Sequence, residues 1–332
     1  MKLSKAAIFG IGNPLIDVVI NVEDKDLKTL GVEKGIMHLV DENRQKEIMS
    51  YFKNMSPIYH PGGSAPNTLV ACAGLEITGV ISGKIGNDKF GEIYKDQVEK
   101  YGIISRLVIG GGPTGSSIIL VTPDGERTMN THLGMCQDFS IADIDESLLA
   151  KADILYFTGY MWDTDSQKSA IKHALSIAKE NRIKVIFDVA DPFAVQRYRD
   201  AFLTLIEEEA DVVFANQAEL SILFDTKDIN AAANSLGRIA NIAAVKLGKE
   251  GCFVIESGNL CKIASRPIIA KDSTGAGDMF AAGFIAALSK GYSGKAAGEI
   301  GGYLAEEIIQ IPGAQFEKSV IKQLNVDLPW PK

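Results

Sequence analysis

The sequence predicts an α/β protein in which a mostly parallel sheet is covered by helices and carries a smaller β-sheet. Two observations predict this fold. From about residue 150 onward, short apolar runs alternate regularly with longer helical segments, which is typical of βα units in a parallel sheet. In the first third, short strand-like stretches surround a hairpin turn, which indicates a separate small sheet.

The βα alternation begins with a strand at residues 154–157 and a helix at 165–181. Further strands are expected at 185–188, 212–215 and 243–247, with helices at 197–208, 218–224 and 231–241. In such sheets, ligands bind beyond the carboxyl ends of the strands. Asp188, Asn216 and Gly248 each follow a strand, so we expect them along one edge of the sheet.

The first third combines one sheet strand at 8–10 with short strands at 18–22, 37–40, 117–122 and 127–131. Pro123-Asp124-Gly125 is a candidate hairpin turn. A helix at 65–74, a strand at 79–82 and a helix at 91–101 lie between these pieces. We expect one chain whose α/β body carries a lid formed from about residues 14–40 and 112–133, because a lid would exclude water from a ligand cleft.

Composition narrows the class of protein. The net charge of -8 argues against a nucleic-acid binder, and no apolar run reaches transmembrane length. The apolar run near the amino terminus is interrupted by Asn13, Pro14 and Asp17, so it does not resemble a signal peptide. The four cysteines and four histidines lack the spacings of zinc sites or disulfide scaffolds. A cytoplasmic protein without membrane or nucleic-acid partners is the simplest interpretation.

The string Thr274-Gly275-Ala276-Gly277-Asp278 precedes an apolar helix and carries the chemistry. The glycines let the backbone approach a ligand, and the first free N–H groups of the helix attract negative charge. A carboxylate there is useful if a neutral hydroxyl lies between it and a phosphoryl group, because it can accept the hydroxyl proton. The alternative is that Asp278 only caps the helix.

This string resembles the second signature of the PfkB/ribokinase family of carbohydrate and nucleoside kinases. Gly62-Gly63-Ser64-Ala65-Pro66-Asn67, followed by the glycine-rich stretch at 83–91, resembles the first signature. The resemblance implies a ribokinase-like three-layer α/β/α domain with a small β-sheet lid. It implies that Asp278 is the base, that Gly275, Ala276 and Gly277 surround the transferring charge, and that Gly62, Gly63 and Asn67 bind the acceptor.

The resemblance also implies a nucleotide site. Asn216-Gln217-Ala218-Glu219 matches the NxxE motif of the family, which organises Mg²⁺ through water. Residues 246–251 resemble its nucleotide-binding turn, with lysine where threonine is common. The implied cofactors are ATP and Mg²⁺, with a monovalent cation left open. The implied ATP or phosphate contacts are Arg127, Asn216, Lys246, Gly248, Gly251 and Thr274.

The acceptor is indicated by the stretch from Gly10 to Asp17, which is similar to the start of adenosine kinases in this family. The similarity implies that Asn13 and Asp17 contact a nucleoside and that Met129 and Thr131 face its base. A carboxylate can accept hydrogen bonds from both hydroxyls of a ribose. We therefore expect phosphorylation of the 5′-hydroxyl of a purine nucleoside, adenosine to AMP, by a monomer or homodimer. A sugar kinase, or a binding protein without activity, stays open.

Overall fold

The computed structural model describes residues 8–331. Residues 1–7, the start of the segment compared above with a signal peptide, lie outside the described residues. The strands are β1 (Ile8–Ile11), β2 (Leu15–Asn21), β3 (Met37–Leu39), β4 (Ile58–Gly62), β5 (Gly79–Gly86), β6 (Ile104–Gly110), β7 (Ser116–Val121), β8 (Arg127–His132), β9 (Ile154–Thr158), β10 (Lys184–Asp188), β11 (Val212–Asn216), β12 (Ile242–Lys246), β13 (Cys252–Glu256) and β14 (Asn259–Ile263). The helices are α1 (Asp24–Leu30), α2 (Glu42–Tyr51), α3 (Ser64–Gly74), α4 (Lys89–Tyr101), α5 (Glu146–Leu149), α6 (Asp165–Asn181), α7 (Pro192–Glu208), α8 (Gln217–Leu223), α9 (Ile229–Ile239), α10 (Ala276–Ser289), α11 (Gly294–Ile308) and α12 (Lys318–Asp327).

Within the described residues, the central sheet has nine strands in the order β14-β13-β12-β11-β10-β9-β1-β5-β6. From β12 to β6 every neighbouring pair is parallel, as the βα alternation predicted for β9 to β12; β6 was not predicted. The carboxyl ends of these strands therefore meet at one edge of the sheet. The antiparallel hairpin β13–β14 was not predicted. Its two-residue turn has positive φ at Ser257 (51°) and Gly258 (78°), the conformation that favours tight hairpins.

Successive strand residues face opposite sides of the central sheet, and each side is apolar. Ile8, Tyr156 and Phe214 pack into one buried cluster, which includes residues of α3, α10 and α11. Phe9 and Phe187 pack into a second cluster with residues of α6, α7 and α9. Strands buried on both faces are expected in a parallel sheet. The result is a three-layer α/β/α body.

The small sheet has the order β3-β8-β7-β2-β4. β7 and β8 form the expected antiparallel hairpin around Pro123-Asp124-Gly125, where Gly125 has φ 83°. The predicted bounds of this sheet were too narrow, because β4 pairs with β2 and extends the first segment to Gly62. β4 is an exposed edge strand that contains Pro61, and proline is tolerated at sheet edges although it weakens the strand signal.

Several element boundaries differ from the predicted ones for local reasons. α7 begins at Pro192 because the Asp191 side chain accepts from two amides of its first turn and proline suits the first helical position. α4 likewise begins after Asp88, which accepts from the Gly91 amide. β5 continues to Gly86, beyond the predicted residue 82. Among residues 8–331, no helix combines the length and apolar character needed to cross a bilayer.

Candidate active site

A cavity of about 400 Å³ lies between the carboxyl edge of the central sheet and the small sheet. It brings together residues that are far apart in the chain. The predicted residues that line it are Asn13, Asp17, Gly63, Asn67, Arg127, Met129, Thr131, Thr274, Gly275, Gly277 and Asp278. We call this cavity the cleft.

Asp278 lies in the first turn of α10, as predicted. Gly275 precedes the helix with φ 74°, and a Cβ at this position would lie 2.5 Å from the Ala314 carbonyl oxygen. Only glycine fits such a turn without strain. The Ala276 amide donates to the Ser273 carbonyl at 3.3 Å, whereas the next amides of a helical first turn have no partner within the helix. The amides of Gly277 and Asp278 are therefore the better placed to receive negative charge.

Two side chains at the start of α3 hold the Asp278 carboxylate. The Ser64 hydroxyl donates to Oδ1 at 2.6 Å, and the Asn67 side-chain nitrogen donates to Oδ2 at 2.8 Å. Burial raises the pKa of Asp278 to about 7, while these two hydrogen bonds and the charge of Lys246 act to lower it. A carboxyl group with a pKa near neutral is well matched to the work of a general base.

Asn67 has a role beside the one expected for it. Its nitrogen is bonded to Asp278, and its Oδ1 accepts from Nε2 of Gln315 at 2.8 Å. Both ends of the amide are thus engaged with protein atoms, although the side chain lines the cleft. Asn67 therefore supports the carboxylate directly, and the contact with the acceptor that the resemblance implied stays a prediction.

Gly62 and Gly63 lie too close to neighbouring polar residues for a side chain to fit. A Cβ at Gly62 would lie 2.4 Å from Oδ2 of Asp17, and a Cβ at Gly63 would lie 2.1 Å from the Asn13 carbonyl oxygen. Gly63 lines the cleft and has φ 93°, whereas Gly62 lies behind Asp17 and is not part of the lining. The pair therefore makes room for the two polar residues that follow β1.

Asp17 faces the same cleft as Asp278. Burial raises its pKa to about 7; the charge of Arg127 acts to lower the pKa and that of Asp278 to raise it. A carboxylate that is short of hydrogen-bond donors in the free protein gains from a ligand that supplies them. The cleft thus holds two acidic side chains with near-neutral pKa values.

A polar cluster lies beside the cleft at the ends of β10, β11 and β12. Nζ of Lys246 lies 3.4 Å from both carboxylate oxygens of Asp188, and a Cβ at Gly277 would lie 3.4 Å from the same Nζ. Burial acts to lower the pKa of Lys246, but Asp188, Glu219 and Asp278 raise it above its usual value. Lys246 therefore stands as a cation next to the predicted phosphate-binding turn.

The side chains of Asn216 and Glu219 are bonded to each other, and their expected role near Mg²⁺ through water stays a prediction. The Glu219 carboxylate accepts from the backbone nitrogen of Asn216 at 2.7 Å and from its side-chain nitrogen at 2.5 Å, and its residue is fully buried. The pair forms a capping box at the start of α8. Across residues 8–331 no group of three or more His, Cys, Asp or Glu side chains could hold a metal ion. We treat magnesium below as part of the MgATP substrate, since Mg²⁺ is commonly held by substrate phosphates.

Arg127 and Thr274, predicted phosphate contacts, are both held by Asp272. Nη1 of Arg127 lies 3.2 Å from each Asp272 oxygen, while the amide and hydroxyl of Thr274 donate to Oδ1. The Gly313 amide donates to Oδ2 at 2.9 Å. Burial would raise the pKa of Asp272, but these donors and the Arg127 charge hold it below its usual value. Asp272 thus ties the small sheet to the loop that precedes α10.

Gly248 and Gly251 occupy the turn between β12 and β13 and do not line the cleft. Gly251 has φ 93°, and a Cβ there would lie 2.0 Å from the Ile263 carbonyl oxygen. The turn therefore requires this glycine for its own geometry. Contact of either glycine with ATP stays a prediction.

The sequence alone missed part of the cleft. Alternate residues of a strand share one face, so the small-sheet positions predicted from Asp17, Met129 and Thr131 extend to neighbours on adjacent strands. The missed lining residues on these strands are Leu15, Met37, Leu39, Ser117 and Ile119, and Leu133 directly follows β8. Ser64 lay inside the quoted glycine-rich string, and its position one residue after Gly63 was the available signal.

Comparisons with known proteins agree with this arrangement. The model of the pfkB family of carbohydrate kinases matches residues 37–320. The chain is 29% identical over 341 residues to an adenosine kinase of Dictyostelium discoideum, covering 96% of this chain and 98% of that one. The crystal structure of adenosine kinase from Sinorhizobium meliloti is 32% identical, with a TM-score of 0.91 and coverage of 98% and 99%. A probable sugar kinase from Rhizobium etli CFN 42 is 30% identical, with a TM-score of 0.91 and coverage of 97% and 98%.

These relatives share the ribokinase-like fold, a mostly parallel central sheet with a smaller second sheet. The matched segment contains the glycine-rich turn, Asp278 and the Asn216–Glu219 pair. The chain belongs to the pfkB family of carbohydrate kinases, phosphotransferases that act on a hydroxyl group.

Proposed function

We propose that this kinase transfers the γ-phosphoryl group of MgATP to the 5′-hydroxyl of a purine nucleoside, with adenosine as the substrate. The observation that carries the proposal is that Asp17 and Asp278 face one cleft, and that the small sheet lines it with the apolar side chains of Met37, Ile119 and Met129. Asp278 would receive the reacting hydroxyl, and Asp17 the ribose diol. A free sugar would leave the apolar part of the wall without a partner, whereas a purine would cover it.

The chemical step follows from the surroundings of Asp278. The 5′-oxygen attacks the γ-phosphorus, the bond to the leaving ADP oxygen breaks, and the hydroxyl proton passes to the Asp278 carboxylate. The amides of Gly277 and Asp278 and the ammonium of Lys246 stand next to the charge that spreads over the phosphoryl oxygens. Ser64 and Asn67 keep the carboxylate in one orientation throughout.

Asp17 supports the choice of a ribose. A carboxylate has two oxygens and can accept from two adjacent hydroxyls. Its raised pKa in the free protein means that burial is not fully offset by protein donors, so a diol would complete its hydrogen bonding. Met129, Ile119 and Met37 lie on the strands that face this carboxylate and offer an apolar surface to the base.

The small sheet is proposed to act as the lid. It forms one wall of the cleft, and Arg127 joins it to the loop that precedes α10. Closure over the acceptor would keep water from competing with the hydroxyl as a nucleophile.

A sugar kinase is the second candidate, supported by the similarity to the probable sugar kinase of Rhizobium etli. The test measures phosphorylation and thermal shift with adenosine, inosine, guanosine, ribose and fructose at saturating MgATP. We expect turnover and stabilisation with adenosine and little response to the free sugars. Turnover of a free sugar alone would refute the nucleoside assignment, and binding without turnover would favour a non-catalytic protein.

A further inference from the structure

Gln167 is a fully buried side chain in the first turn of α6, next to the cleft but not part of its lining. Its Nε2 donates to Oδ1 of Asn13 at 2.8 Å and to the Cys136 carbonyl oxygen at 2.8 Å. Gln167 was not singled out by the sequence, and its contacts join three segments that are distant in the chain. They determine how Asn13 faces the cleft.

The Cys136 carbonyl fixes the direction of these hydrogen bonds. A carbonyl oxygen can only accept, so the atom of Gln167 that faces it must be the nitrogen. The same nitrogen faces Asn13, so the Asn13 atom opposite must be the oxygen. The Asn13 nitrogen is then turned the other way. Across residues 8–331 that nitrogen has no protein acceptor, although Asn13 is only 7% exposed and lines the cleft.

The unused oxygen of Gln167 points to a role beyond stability. Oε1 of Gln167 is buried and has no hydrogen-bond partner among the described residues. A buried acceptor without a partner costs free energy, and an apolar side chain of similar size would avoid that cost. The two hydrogen bonds from Nε2 are what an apolar replacement would lose.

Gln167 also contacts the chain at two junctions between the body and the small sheet. Asn13 lies between β1 and β2, and Cys136 follows β8 where the chain returns to the body. Gln167 itself belongs to α6, which packs in the body. Its hydrogen bonds therefore fix the orientation of the Asn13 side-chain amide relative to the α/β body.

We propose that Gln167 is a positioning residue that holds Asn13 as a hydrogen-bond donor to an acceptor atom of the bound substrate, a ring nitrogen or a sugar oxygen. The inference rests on the proposed function in that the substrate occupies this cleft. A ligand with an acceptor at this place satisfies the Asn13 nitrogen, whereas a ligand with a donor there meets a second donor. Gln167 thus contributes to substrate selection without touching the substrate.

The test compares Gln167→Glu and Gln167→Met. A glutamate carboxylate cannot donate, so the Asn13 amide must rotate and present its oxygen to the cleft. Methionine removes the donor while keeping the volume. We expect the KM for adenosine to rise about tenfold to about a hundredfold in both variants. The kcat should change less than about threefold, because Asp278 keeps its hydrogen bonds from Ser64 and Asn67.

A double-mutant cycle with Asn13→Ala separates positioning from a general structural effect. If Gln167 acts through Asn13, Gln167→Met has no further effect on KM in the Asn13→Ala background. An equal rise in KM in both backgrounds would overturn the inference. Ser166→Ala is the matched control, because Ser166 lies in the same helical turn and bonds the Phe139 carbonyl at 2.8 Å. We expect no change in KM for this control.

Thermal unfolding of each variant checks that the fold is retained. If Gln167→Glu does not fold, the double-mutant cycle of Gln167→Met with Asn13→Ala is sufficient to test the inference. The acceptor panel on the wild-type enzyme tests the proposed function separately. If the wild type phosphorylates ribose or fructose instead of adenosine, the cycle is measured with that sugar. Coupling between Gln167 and Asn13 would then hold while the nucleoside assignment fails.

Discussion

The side-chain nitrogen of Asn67 donates a hydrogen bond of 2.8 Å to Oδ2 of Asp278, and Gln315 fixes this orientation from the far side. Nε2 of Gln315 also lies 3.2 Å from the Pro61 carbonyl oxygen, which can only accept. Gln315 must therefore present its nitrogen to Oδ1 of Asn67, and Asn67 must present its own nitrogen to Asp278. The Asp278 carboxylate is thus held by two side-chain amides in series, those of Asn67 and Gln315. The Pro61 carbonyl determines which end of each amide donates.

Replacement of the base tests the chemistry. Asp278→Asn keeps the shape of the side chain but cannot accept the hydroxyl proton. We expect kcat to fall by at least about a hundredfold while circular dichroism stays unchanged. Asp200→Asn, which alters an exposed carboxylate outside the cleft lining, is the control and should retain kcat. Unaltered turnover in Asp278→Asn would remove Asp278 from the role of base.

The pH dependence of kcat/KM reports the protonation of the free enzyme. The pKa of Asp278 is raised to about 7, and the base works only when deprotonated, so activity should rise with pH around that value. Ser64→Ala removes a donor that stabilises the charged form, which should move the rising limb upward by about one pH unit. Ser117→Ala, which removes a cleft hydroxyl bonded to Thr131, should leave the limb in place. If the rising limb of the pH profile does not move in Ser64→Ala, the limb reports the ionisation of a group other than Asp278.

Gln315→Met tests the amide chain. Without Gln315, the Asn67 amide can rotate and bring its oxygen toward Asp278, which disfavours the carboxylate. We expect the rising limb to move to higher pH, by less than in Ser64→Ala, with KM for the acceptor unchanged. Gln97→Met, which removes only the donor to Oε1 of Gln315, should have a smaller effect. A change in KM without a shift of the limb would contradict this relay.

The buried carboxyl should also affect stability. Burial raises the pKa of Asp278 from 3.8 to about 7, so folding favours its protonated form. The stability from this group is present below about pH 4 and is lost as the pH rises through about 7. The Tm of Asp278→Asn relative to wild type should therefore be higher at pH 8 than at pH 5. Unfolding scans without ligand at both values check this, and Asp17→Asn should follow the same trend.

The contact between the small sheet and the body should have a measurable energy. Asp272→Asn leaves Arg127 without an ionic partner in a mostly buried place, with 19% of the Arg127 side chain exposed. We expect the free energy of unfolding to fall by about 1 to 3 kcal/mol in urea titrations. Glu250→Gln breaks the exposed pair with Lys262 and should change little. Equal effects of the two changes would mean that Asp272 does not stabilise this contact.

The features that the sequence predicted well are those with a local signal. The βα units were predicted because each strand and helix has its own period, and the turn at Gly275 because it needs glycine. The links of Asn67 to Asp278, Gln315 to Asn67 and Gln167 to Asn13 join residues 211, 248 and 154 positions apart. No local pattern encodes such pairs, so only the folded chain reveals them.

Asn216 and Glu219 show the opposite case. The family resemblance implied a role for this pair near Mg²⁺ through water, and an asparagine three residues before a glutamate at a helix start also forms a capping box. The two interpretations predict the same residue types. The hydrogen bonds of the Glu219 carboxylate show the capping box, while the role near Mg²⁺ stays a prediction. The edge strand β4 was missed because Pro61 and Gly62 weaken its strand pattern.

The two segments of the small sheet alternate in space. The β7–β8 hairpin lies between β2 and β3, and both of those strands come from the first segment. Neither segment alone can complete its hydrogen-bond ladder. During synthesis, one edge of β2 and the paired edge of β3 lack their partners until β7 and β8 are made, about a hundred residues later. Grafting either segment into another protein would therefore carry over unpaired strand edges, and a transplanted lid would need both insertions at once.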